Sequence, residues 1–329
     1  YIDLSSKTVR EEELPESYIE GYVGGAGINA RILYDFLRMN PLIDALDPEN
    51  PLIFGCSPLV GTEFLCASRF TVTAKSPLTG IFGDTNAGGY FPVRLKQAGY
   101  DHIVIQGRAE TPVAILIEKG HKPRIVDASD VWGLDTYETD ARLHQKYGDC
   151  ETARIGQAGE NLVRFSAIVS ETRTAGRGGA GAVMGSKKLK AVVLAGSKRV
   201  AAFDRAEMKR LSKKCSRDVA LSLRLVKSNT LGKYGEIVSK LPFGVTQPGV
   251  VLGGVMAKWG TIGTLPASIG IGDTPFKNWA GTNQDMFRVY DRLDPDLVLK
   301  KEKRKYHCRE CPLGCGGIVE MPGAKQDSH

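Results

Sequence analysis

Residues 1 to about 200 consist of short apolar runs that are rich in β-branched side chains and are separated by glycine. Runs of this length, bounded by turn residues, favour the strands of stacked sheets over helices. Apolar residues that recur every three or four positions predict intervening helices over Gly27–Leu37 and Tyr137–Tyr147. The predicted strands are Pro51–Phe54, Phe70–Ala74, His102–Gln106, Val113–Glu118 and Leu189–Ala195.

The pattern changes near Phe203, where strand signals give way to helical ones. A long amphipathic helix is predicted over Ala206–Lys227, with Asp204 as its N-cap. The Gly- and Pro-rich segment Leu241–Thr274 predicts an irregular loop with short helices. A second helix is predicted over Asp294–Tyr306.

These patterns predict an α+β protein with a β-rich domain over residues 1–202 and the beginning of a helical domain over residues 203–329. The chain starts at Tyr1 without Met, and it closes on the polar stretch Ala324–His329 without a terminal helix or strand. We therefore expect it to be part of a longer protein, in which a targeting segment could precede Tyr1.

The charge is +7 and is spread along the chain, with one dense basic run at Lys300–Lys305. We interpret this run as a solvated helix face, with a docking patch for an acidic protein or a phosphate-bearing ligand as the alternative. Aromatic residues do not interleave with the run, so we do not expect a nucleic-acid partner. An apolar run of the roughly 18 residues that a membrane helix needs is also missing, so no membrane span is expected.

Three of the seven cysteines, Cys308, Cys311 and Cys315, form a C-x2-C-x3-C cluster. Such a cluster favours a metal over a disulfide framework, and hence a reducing, cytoplasmic location. Iron–sulfur cubanes normally take four thiolates, so a fourth ligand would come from elsewhere. Zinc held by the three cysteines and His307 is the alternative, although His307 directly precedes Cys308. We expect the scattered cysteines to be packing residues: Cys56, Cys66, Cys150 and Cys215.

The segment from Arg173 to Lys190 is the densest glycine-rich stretch and carries two arginines at its start, Arg173 and Arg177. Glycines let backbone amides approach an anion closely, and guanidinium forks suit phosphate oxygens. Gly176–Gly181 fits G-x-G-x-x-G only superficially, because the sequence shows no strand-then-helix unit with an acidic residue about twenty positions further on. A glycine-rich turn between strands is the alternative.

A second candidate site combines Ser68-Arg69-Phe70 with the stretch from Asp84 to Phe91. Arg69 at a strand start and Asn86 beside two glycines could contact the polar edge of a heterocycle. A tight turn explains the same residues equally well.

Taken in order, these phrases resemble the aldehyde ferredoxin oxidoreductase family. The resemblance is dense to about residue 197 and thin from 200 to 300. Its phrases are Gly24-Gly25 with Gly27, Pro51–Phe54, Ser68–Phe70, Lys75–Gly80, Asn86–Phe91, Gly99–Asp101, Ile155-Gly156 with Ala158–Leu162, Ala175–Lys190 and Cys308–Cys315.

The resemblance implies a saucer of two β-sheets that carries tungsten, or molybdenum, on the dithiolenes of two pterins, with Mg²⁺ bridging the pterin phosphates. Helical domains and a [4Fe–4S] cluster would follow. It places Arg69 between pterin and cluster, and Cys308, Cys311 and Cys315 on three cluster ligands. Thr174 departs from the Ala common in the family, but a backbone contact would survive this change. The residues on pterin-contacting positions are Asn86, Gly88, Arg173, Thr174, Gly176 and Arg177.

The resemblance also implies that the fourth cluster cysteine, the D-x-x-G-L-C/D pterin motifs and the acid–base residues lie in later domains, so we assign no catalytic residue here. Asp130–Asp135 fits D-x-x-G-L-D, but we interpret it as a decoy because it lies in the β-domain.

The implied reaction is oxidation of an aldehyde to a carboxylic acid with water, with electrons passing through the cluster to ferredoxin or another iron–sulfur carrier. A homodimer or accessory iron–sulfur subunits are expected assemblies. Three alternatives stay open: a catalytic subunit that reduces an aromatic acyl-CoA, a non-catalytic electron-transfer or scaffold subunit, and a zinc-stabilised anion-binding module.

Overall fold

The structure is a computed structural model that describes residues 1–196, 198–218, 230–231, 233–234, 237, 249–272, 274–281 and 294–319. The chain divides into two compact units, Tyr1–Arg205 and Ala206–His329. The first unit is mixed α/β and contains two six-stranded sheets. Among the described helices, none has both the length and the apolar character needed to cross a bilayer.

The first sheet has the strand order β2-β1-β6-β3-β4-β5, and only its β1–β6 pair is parallel. The second sheet has the order β11-β10-β9-β12-β7-β8, and only its β7–β12 pair is parallel. The strands of the first sheet are β1 (Ile2–Asp3), β2 (Thr8–Val9), β3 (Leu52–Cys56), β4 (Arg69–Lys75), β5 (Phe82–Gly88) and β6 (His102–Gln106). Those of the second are β7 (Val113–Glu118), β8 (Arg124–Asp127), β9 (Glu151–Arg154), β10 (Ile168–Ser170), β11 (Arg173–Ala175) and β12 (Leu189–Ala195).

The helices that pack on these sheets are α1 (Glu16–Tyr22), α2 (Ala26–Leu37), α3 (Phe91–Ala98), α4 (Thr136–Tyr147), α5 (Gln157–Glu160) and α6 (Ala180–Ser186), and α7 (Arg205–Asp218) begins where the unit ends. The second unit contains α8 (Gly249–Trp259), the 3-10 helix Gly260–Thr264, α9 (Leu265–Ile271) and α10 (Pro295–Leu299). A two-stranded hairpin, β13 (Glu302–Tyr306) and β14 (Gly316–Val319), follows.

The central strands are buried on both faces, which explains why their sequences are continuous apolar runs. On β3, Phe54 points into the main core, where its ring lies 6.2 Å from that of Phe70 and 6.0 Å from that of Phe91. Its neighbour Ile53 faces the opposite way and packs against Ile28 of α2. The main core joins side chains of both sheets with α3 and α6. A separate cluster covers the other face of the second sheet with α4.

Asn29 is a fully buried polar residue that fixes α2 to the first sheet. Its Nδ2 donates to the carbonyl of Ile53 at 3.2 Å and to the hydroxyls of Thr71 at 3.0 Å and Thr73 at 3.1 Å. Its Oδ1 lies 2.8 Å from Nδ1 of His102, whose pKa burial lowers to about 4. Both the nitrogen and the oxygen of the buried Asn29 amide therefore have hydrogen-bond partners, and these bonds fix the position of α2 on β3 and β4.

The glycines of α6 and of the turn before it serve backbone packing. A Cβ on Gly185 would overlap the carbonyl of Gly159, and one on Gly181 would lie 2.7 Å from the carbonyl oxygen of Ala167. Gly179 adopts φ +75° directly against the carbonyl of Arg164. Much of the glycine richness therefore comes from close approach of the chain to itself, as the glycine-rich-turn interpretation holds.

Several predictions from the sequence match the structure and others do not. Strands β6, β7 and β12 have the predicted bounds, and helices α2 and α4 start one residue earlier than predicted. The helix predicted over Ala206–Lys227 is present as α7, which spans Arg205–Asp218. Residues 219–227 of the prediction lie outside the described residues. For Leu241–Thr274 an irregular loop with short helices was predicted; the short helices are confirmed, but they follow one another without an irregular break over residues 249–271.

The predicted helix Asp294–Tyr306 is wrong beyond Leu299, because residues 302–306 form β13. The basic run Lys300–Lys305 is consequently an exposed strand and the turn before it, and the interpretation as a helix face fails. The strand is stabilised by pairing with β14, which lies beyond the cysteine cluster.

We predict that Gly185→Ala lowers the free energy of unfolding by about 2 kcal/mol or more, because the new methyl group would push α6 away from Gly159. The matched control is Gly21→Ala in helix α1, where a Cβ meets nothing within 4 Å. Helix propensity should make this control neutral or more stable by about 0.5–1 kcal/mol. Urea unfolding of both variants measures the difference, and equal effects would contradict the packing role of Gly185.

Candidate functional site

The edge strands β5 and β11 of the two sheets lie against each other, and the predicted cofactor residues gather at this junction. The backbone N–H of Arg177 donates to Oγ1 of Thr85 at 3.0 Å. The hydroxyl of Ser76 donates to the carbonyl of Gly178 at 2.7 Å. Two regions that are about ninety residues apart in sequence thus form one surface. We call it the sheet junction, defined by residues 68–90 and 171–179.

Arg69 and Asn86 form a side-chain pair on the exposed face of β4 and β5. The register opposes Arg69 to Gly88 and Thr71 to Asn86, so Arg69 and Asn86 are diagonal neighbours. Nε of Arg69 donates to Oδ1 of Asn86 at 2.9 Å, and the Nη2 atom contacts the same oxygen. Because the guanidinium group is already oriented, it loses less conformational freedom when it binds an anion. The structure therefore brings Arg69, Asn86 and Gly88 together.

The second group of predicted residues lies on β11 and the turn that follows it. Thr174 is exposed and pairs with Val169 of β10, whereas Ala175 is buried. Gly176 and Arg177 are exposed. Arg173 is partly buried, with its Nε and Nη2 atoms inside the protein. Exposed backbone at Thr174 and Gly176 therefore lies between the two arginines along the chain.

Glu171 is a residue of the junction that the sequence analysis missed. Its carboxylate accepts a hydrogen bond from the backbone N–H of Tyr90, directly before helix α3. It also packs against Gly89, where a Cβ would overlap the Glu171 carboxylate. The φ of Gly89 is +105°, which also favours glycine at this position. Glu171 itself has a positive φ of 51°, which is unusual for a residue with a side chain. The carboxylate thus connects the β10–β11 turn of one sheet to the end of β5 in the other.

Glu151 is a carboxylic acid near this junction whose pKa is strongly raised. Burial raises the pKa of Glu151 to about 7, and the negative charge of Glu171 adds to this shift. The positive charge of Arg94 offsets part of this rise in pKa. The Arg94 guanidinium also donates to the carbonyl of Gly196 at 2.9 Å and pairs with Asp149. The neighbourhood of Glu171 therefore contains one carboxylate that is protonated over part of the physiological pH range.

The G-x-G-x-x-G match does not form a dinucleotide-binding unit. A strand, a turn and a helix do follow each other at β11 and α6, but residues 189–203 contain no acidic residue, as expected from the sequence. In addition, β11 is an edge strand that pairs antiparallel with β10, and α6 has only seven residues. A Rossmann unit needs parallel strands on both sides of a longer crossover helix.

The D-x-x-G-L-D phrase at Asp130–Asp135 is satisfied by the protein itself. The backbone N–H of Gly133 donates to both carboxylate oxygens of Glu160, at 3.1 and 2.9 Å. Nζ of the buried Lys190 donates to the carbonyl of Leu134 at 2.8 Å and forms an ion pair with Glu160. Asp135 caps helix α4 through the N–H groups of residues 137 and 138, each at 2.8 Å. This usage gives a physical reason to interpret the phrase as a structural element.

The three clustered cysteines all lie in the loop that connects β13 and β14. Tyr306 pairs with Gly316, so residues 307–315 form a hairpin loop. Cys311 donates its N–H to the carbonyl of Cys308 at 3.1 Å, and Gly314 turns the chain with φ +55°. Gly260 packs directly on the carbonyl of Cys315, where any side chain would overlap it. The loop is therefore fixed at its end by the start of the 3-10 helix.

His307 is held within the same loop. Its Nδ1 lies 3.0 Å from the carbonyl oxygen of Cys311, and its ring covers Gly314. Among the described residues, no three His, Cys, Asp or Glu side chains are arranged as a ready-made metal-binding group. The donor set is three partly exposed thiols on one short loop, which fits the thiolate chemistry of an iron–sulfur cluster, and a Cys3His zinc site stays the alternative.

The other cysteines differ from one another. Cys56 and Cys150 are buried, and burial raises the pKa of both thiols, to about 12 for Cys150. These two match the expected packing role. Cys66 is exposed, so the expectation fails for it, and Cys215 is partly exposed on α7.

Comparison with known proteins identifies relatives along the whole chain. The profile of the family "Aldehyde ferredoxin oxidoreductase, N-terminal domain" matches residues 1–196. The tungsten-containing aldehyde ferredoxin oxidoreductase of Pyrococcus furiosus is 37% identical over 324 residues, which are 98% of this chain and 48% of that protein. The enzyme of the same name from Thermococcus kodakarensis is 36% identical over 325 residues, with the same coverage. This chain thus spans about half the length of these relatives.

Other relatives have different names. The WOR-like subunit of the aliphatic sulfonate oxidoreductase of Pyrococcus furiosus is 34% identical over 226 residues, which cover 63% of this chain and 36% of that protein. Among solved structures, the active-site complex BamBC of benzoyl coenzyme A reductase, bound to 1,5-dienoyl-CoA, matches with a TM-score of 0.72 and 28% identity. That match covers 98% of this chain and 47% of the other.

We predict that Glu171→Ala loosens the sheet junction, because the N–H of Tyr90 loses its charged acceptor. A hydrogen bond to a charged group contributes about 1.5–3 kcal/mol, so the variant should lose stability in that range. Hydrogen–deuterium exchange should quicken in the peptide that covers residues 88–91. Glu171→Gln keeps an acceptor oxygen and should lose less. Unchanged protection in the alanine variant would contradict the anchoring role.

We also predict that Glu151→Gln stabilises the protein at alkaline pH. Since the pKa of Glu151 is raised from 4.5 to about 7 by folding, its favourable contribution is complete below pH 4.5 and is lost as pH rises through 7. The variant, which mimics the protonated acid, should gain about 1–3 kcal/mol at about pH 8 and little at about pH 5. Urea unfolding at both pH values tests this, with the exposed Glu110→Gln as the control. A gain at about pH 5 that equals the gain at about pH 8 would exclude linkage to this carboxyl.

Proposed function

This chain belongs to the aldehyde ferredoxin oxidoreductase family, and on that premise we propose that it forms the cofactor-binding half of an oxidoreductase that converts aldehydes to carboxylic acids. The cofactor would be a tungsten, or molybdenum, bis-pterin bound at the sheet junction. The relatives named as tungsten-containing enzymes support this choice of metal. In this proposal the two six-stranded sheets form the saucer on which the cofactor lies.

The observation that carries the proposal is the contact between β5 and the turn after β11, which brings the segments that carry Arg69, Arg173 and Arg177 to one junction. The segments come from both sheets, and Arg69, Gly176 and Arg177 are exposed. A pterin of this type bears phosphate, and arginine forks bind phosphate oxygens in a bidentate way. The residues present therefore fit an anionic organic cofactor, and Mg²⁺ between its phosphates would reduce the remaining repulsion.

When bound, the metal–pterin centre supplies the redox chemistry by which an aldehyde and water become a carboxylic acid, two protons and two electrons. The part of this chain is to hold and orient that centre. Asn86 keeps the Arg69 guanidinium in place, and Glu171 keeps the turn that carries Gly88 and Gly89 against the second sheet. Preorganised groups of this kind lose less conformational freedom on binding.

We propose Cys308, Cys311 and Cys315 as three ligands of a [4Fe–4S] cluster that passes the electrons to ferredoxin. The fourth cluster ligand and the acid–base residues belong, in this proposal, to the half of the relatives that the chain does not span. This chain alone would then bind cofactors without completing the active site, and accessory iron–sulfur subunits or a second copy would be its partners in the cytoplasm.

Reduction of an aromatic acyl-CoA is the second candidate function. The match to the benzoyl coenzyme A reductase complex over 98% of the chain favours it. Sequence identity to that chain, 28%, is lower than the 37% to the aldehyde enzyme. Assays of aldehyde and acyl-thioester substrates with one viologen dye would separate the two reactions.

The proposal is tested by purifying the intact protein without oxygen and measuring its metals and pterin. We expect tungsten or molybdenum, iron, and a brown absorbance that dithionite bleaches. Protein without either heavy metal and without pterin would refute the cofactor assignment and leave a scaffold role. Stoichiometric zinc in place of iron would favour the zinc-stabilised anion-binding module.

We further predict that Cys311→Ser lowers the iron content and bleaches the brown absorbance while tungsten and pterin stay bound, because the cluster thiols and the sheet junction are separate sets of residues. Cys215→Ser on α7 is the matched control and should retain iron. Metal analysis of both variants gives the answer, and normal iron in Cys311→Ser would remove this residue from the proposed ligands.

A further inference from the structure

A strip of positive charge precedes the cysteine loop. Its cations, which we call the basic strip, are Lys300, Lys301, Lys303 and Arg304. All of them are exposed. Lys300 and Lys301 follow helix α10, and the other two lie on strand β13, which leads into the loop that carries the thiols. The strip is therefore a charged surface attached directly to the candidate metal loop.

Within residues 294–319, the acidic side chains whose contacts are resolved bind groups other than Lys300, Lys301 and Arg304. Glu302 pairs with Lys305 at 3.1 Å, and Lys305 also donates to the carbonyl of Lys258 at 2.7 Å. Asp296 accepts from the indole N–H of Trp259 at 2.7 Å, and Asp294 caps α10. Asp296 thus joins α10 to α8, and the ammonium group of Lys305 joins β13 to α8. Lys300, Lys301 and Arg304 remain exposed at the surface.

The strip is close to the thiols because the chain between them is short. Arg304 precedes Cys308 by four residues, and an extended chain spans at most about 14 Å over that length. The pairing of Tyr306 with Gly316 brings the far end of the loop back to the same strand. A protein that touches Arg304 would consequently approach the metal loop within the range over which electrons pass between protein-bound centres.

We propose that the basic strip is the docking surface for a small acidic iron–sulfur electron carrier. This inference rests on the proposed function, because it needs a redox-active metal on Cys308, Cys311 and Cys315. Cations spread along a turn and a strand match an extended acidic surface better than one phosphate group, which is usually enclosed by backbone amides. The lack of aromatic side chains within the run disfavours a single-stranded nucleic acid.

The number of electrons released per aldehyde determines how many carrier molecules must dock in each turnover. Oxidation of one aldehyde releases two electrons, and each carrier whose cluster accepts one electron is reduced once and then leaves. Two docking events are therefore needed for each turnover. A surface that steers encounters by charge, and whose contacts are exposed and screened by salt, suits such a fast and transient complex.

The test compares two charge reversals in the intact protein, purified without oxygen. Lys301→Glu/Arg304→Glu alters the strip, and Lys119→Glu/Lys122→Glu, at the exposed turn between β7 and β8, is the control with the same change in net charge. The probe is a small acidic ferredoxin in its oxidised form. Isothermal titration gives its Kd, and steady-state assays give kcat/KM with ferredoxin and, separately, with benzyl viologen.

We expect the strip variant to weaken ferredoxin binding by about tenfold or more and to lower kcat/KM for ferredoxin similarly, whereas the rate with benzyl viologen stays unchanged. The control should behave like the wild type. Higher salt should weaken binding of the wild type more than that of the strip variant. Iron content and circular dichroism confirm that the variant is folded and loaded.

Ferredoxin affinity that is equal in the wild type and the strip variant would overturn the proposal, as would an equal loss in both variants. The charge-preserving Lys301→Arg/Arg304→Lys should bind like the wild type, and a tenfold loss in it would also refute a role of charge. Failure of the proposed function would be recognised separately, as an absence of viologen activity and of tungsten or molybdenum in the wild type itself.

Discussion

The architecture of the first unit depends on the contact between two sheet edges, β5 and β11. Hydrogen bonds join the two sheets where these edge strands end: Arg177 to Thr85, Ser76 to Gly178 and Tyr90 to Glu171. Their backbone groups belong to the turns that follow β5 and β11. The junction also gathers cations that sequence separates widely, so the contact that completes the fold is the one that creates the candidate site.

Elements that a local sequence pattern specifies could be predicted, whereas elements that depend on pairing with a distant segment could not. Strands β6, β7 and β12 were predictable because each is a short apolar run, buried on both faces and bounded by turns. The segment Glu302–Tyr306 was mistaken for a helix because its charged residues carry no clear period. Its strand conformation comes from pairing with Gly316–Val319, and the intervening loop hides that pairing from any local pattern.

The residue types of the candidate site were predictable from the sequence, but the long-range contacts among them were not. Arginines beside glycines indicated anion binding, and the structure brings Arg69, Asn86 and Gly88 to the same junction as the residues after Arg173. Glu171 could not have been found, because its importance lies in a contact with Tyr90, 81 residues away. Conversely, glycines at 179, 181 and 185 suggested ligand contact, whereas the structure assigns them to packing of the chain on itself.

The way the cysteine loop is attached has a consequence for electron transfer. A two-stranded hairpin has little stability of its own, so the spacing of its thiols is fixed mainly by what it rests on. That support is α8 and the helix after it, through Gly260 under Cys315 and Lys258 bonded to Lys305. The potential of an iron–sulfur centre responds to hydrogen bonding and solvent access, so with the proposed cluster bound, helix α8 would tune the redox midpoint from a distance without supplying a ligand.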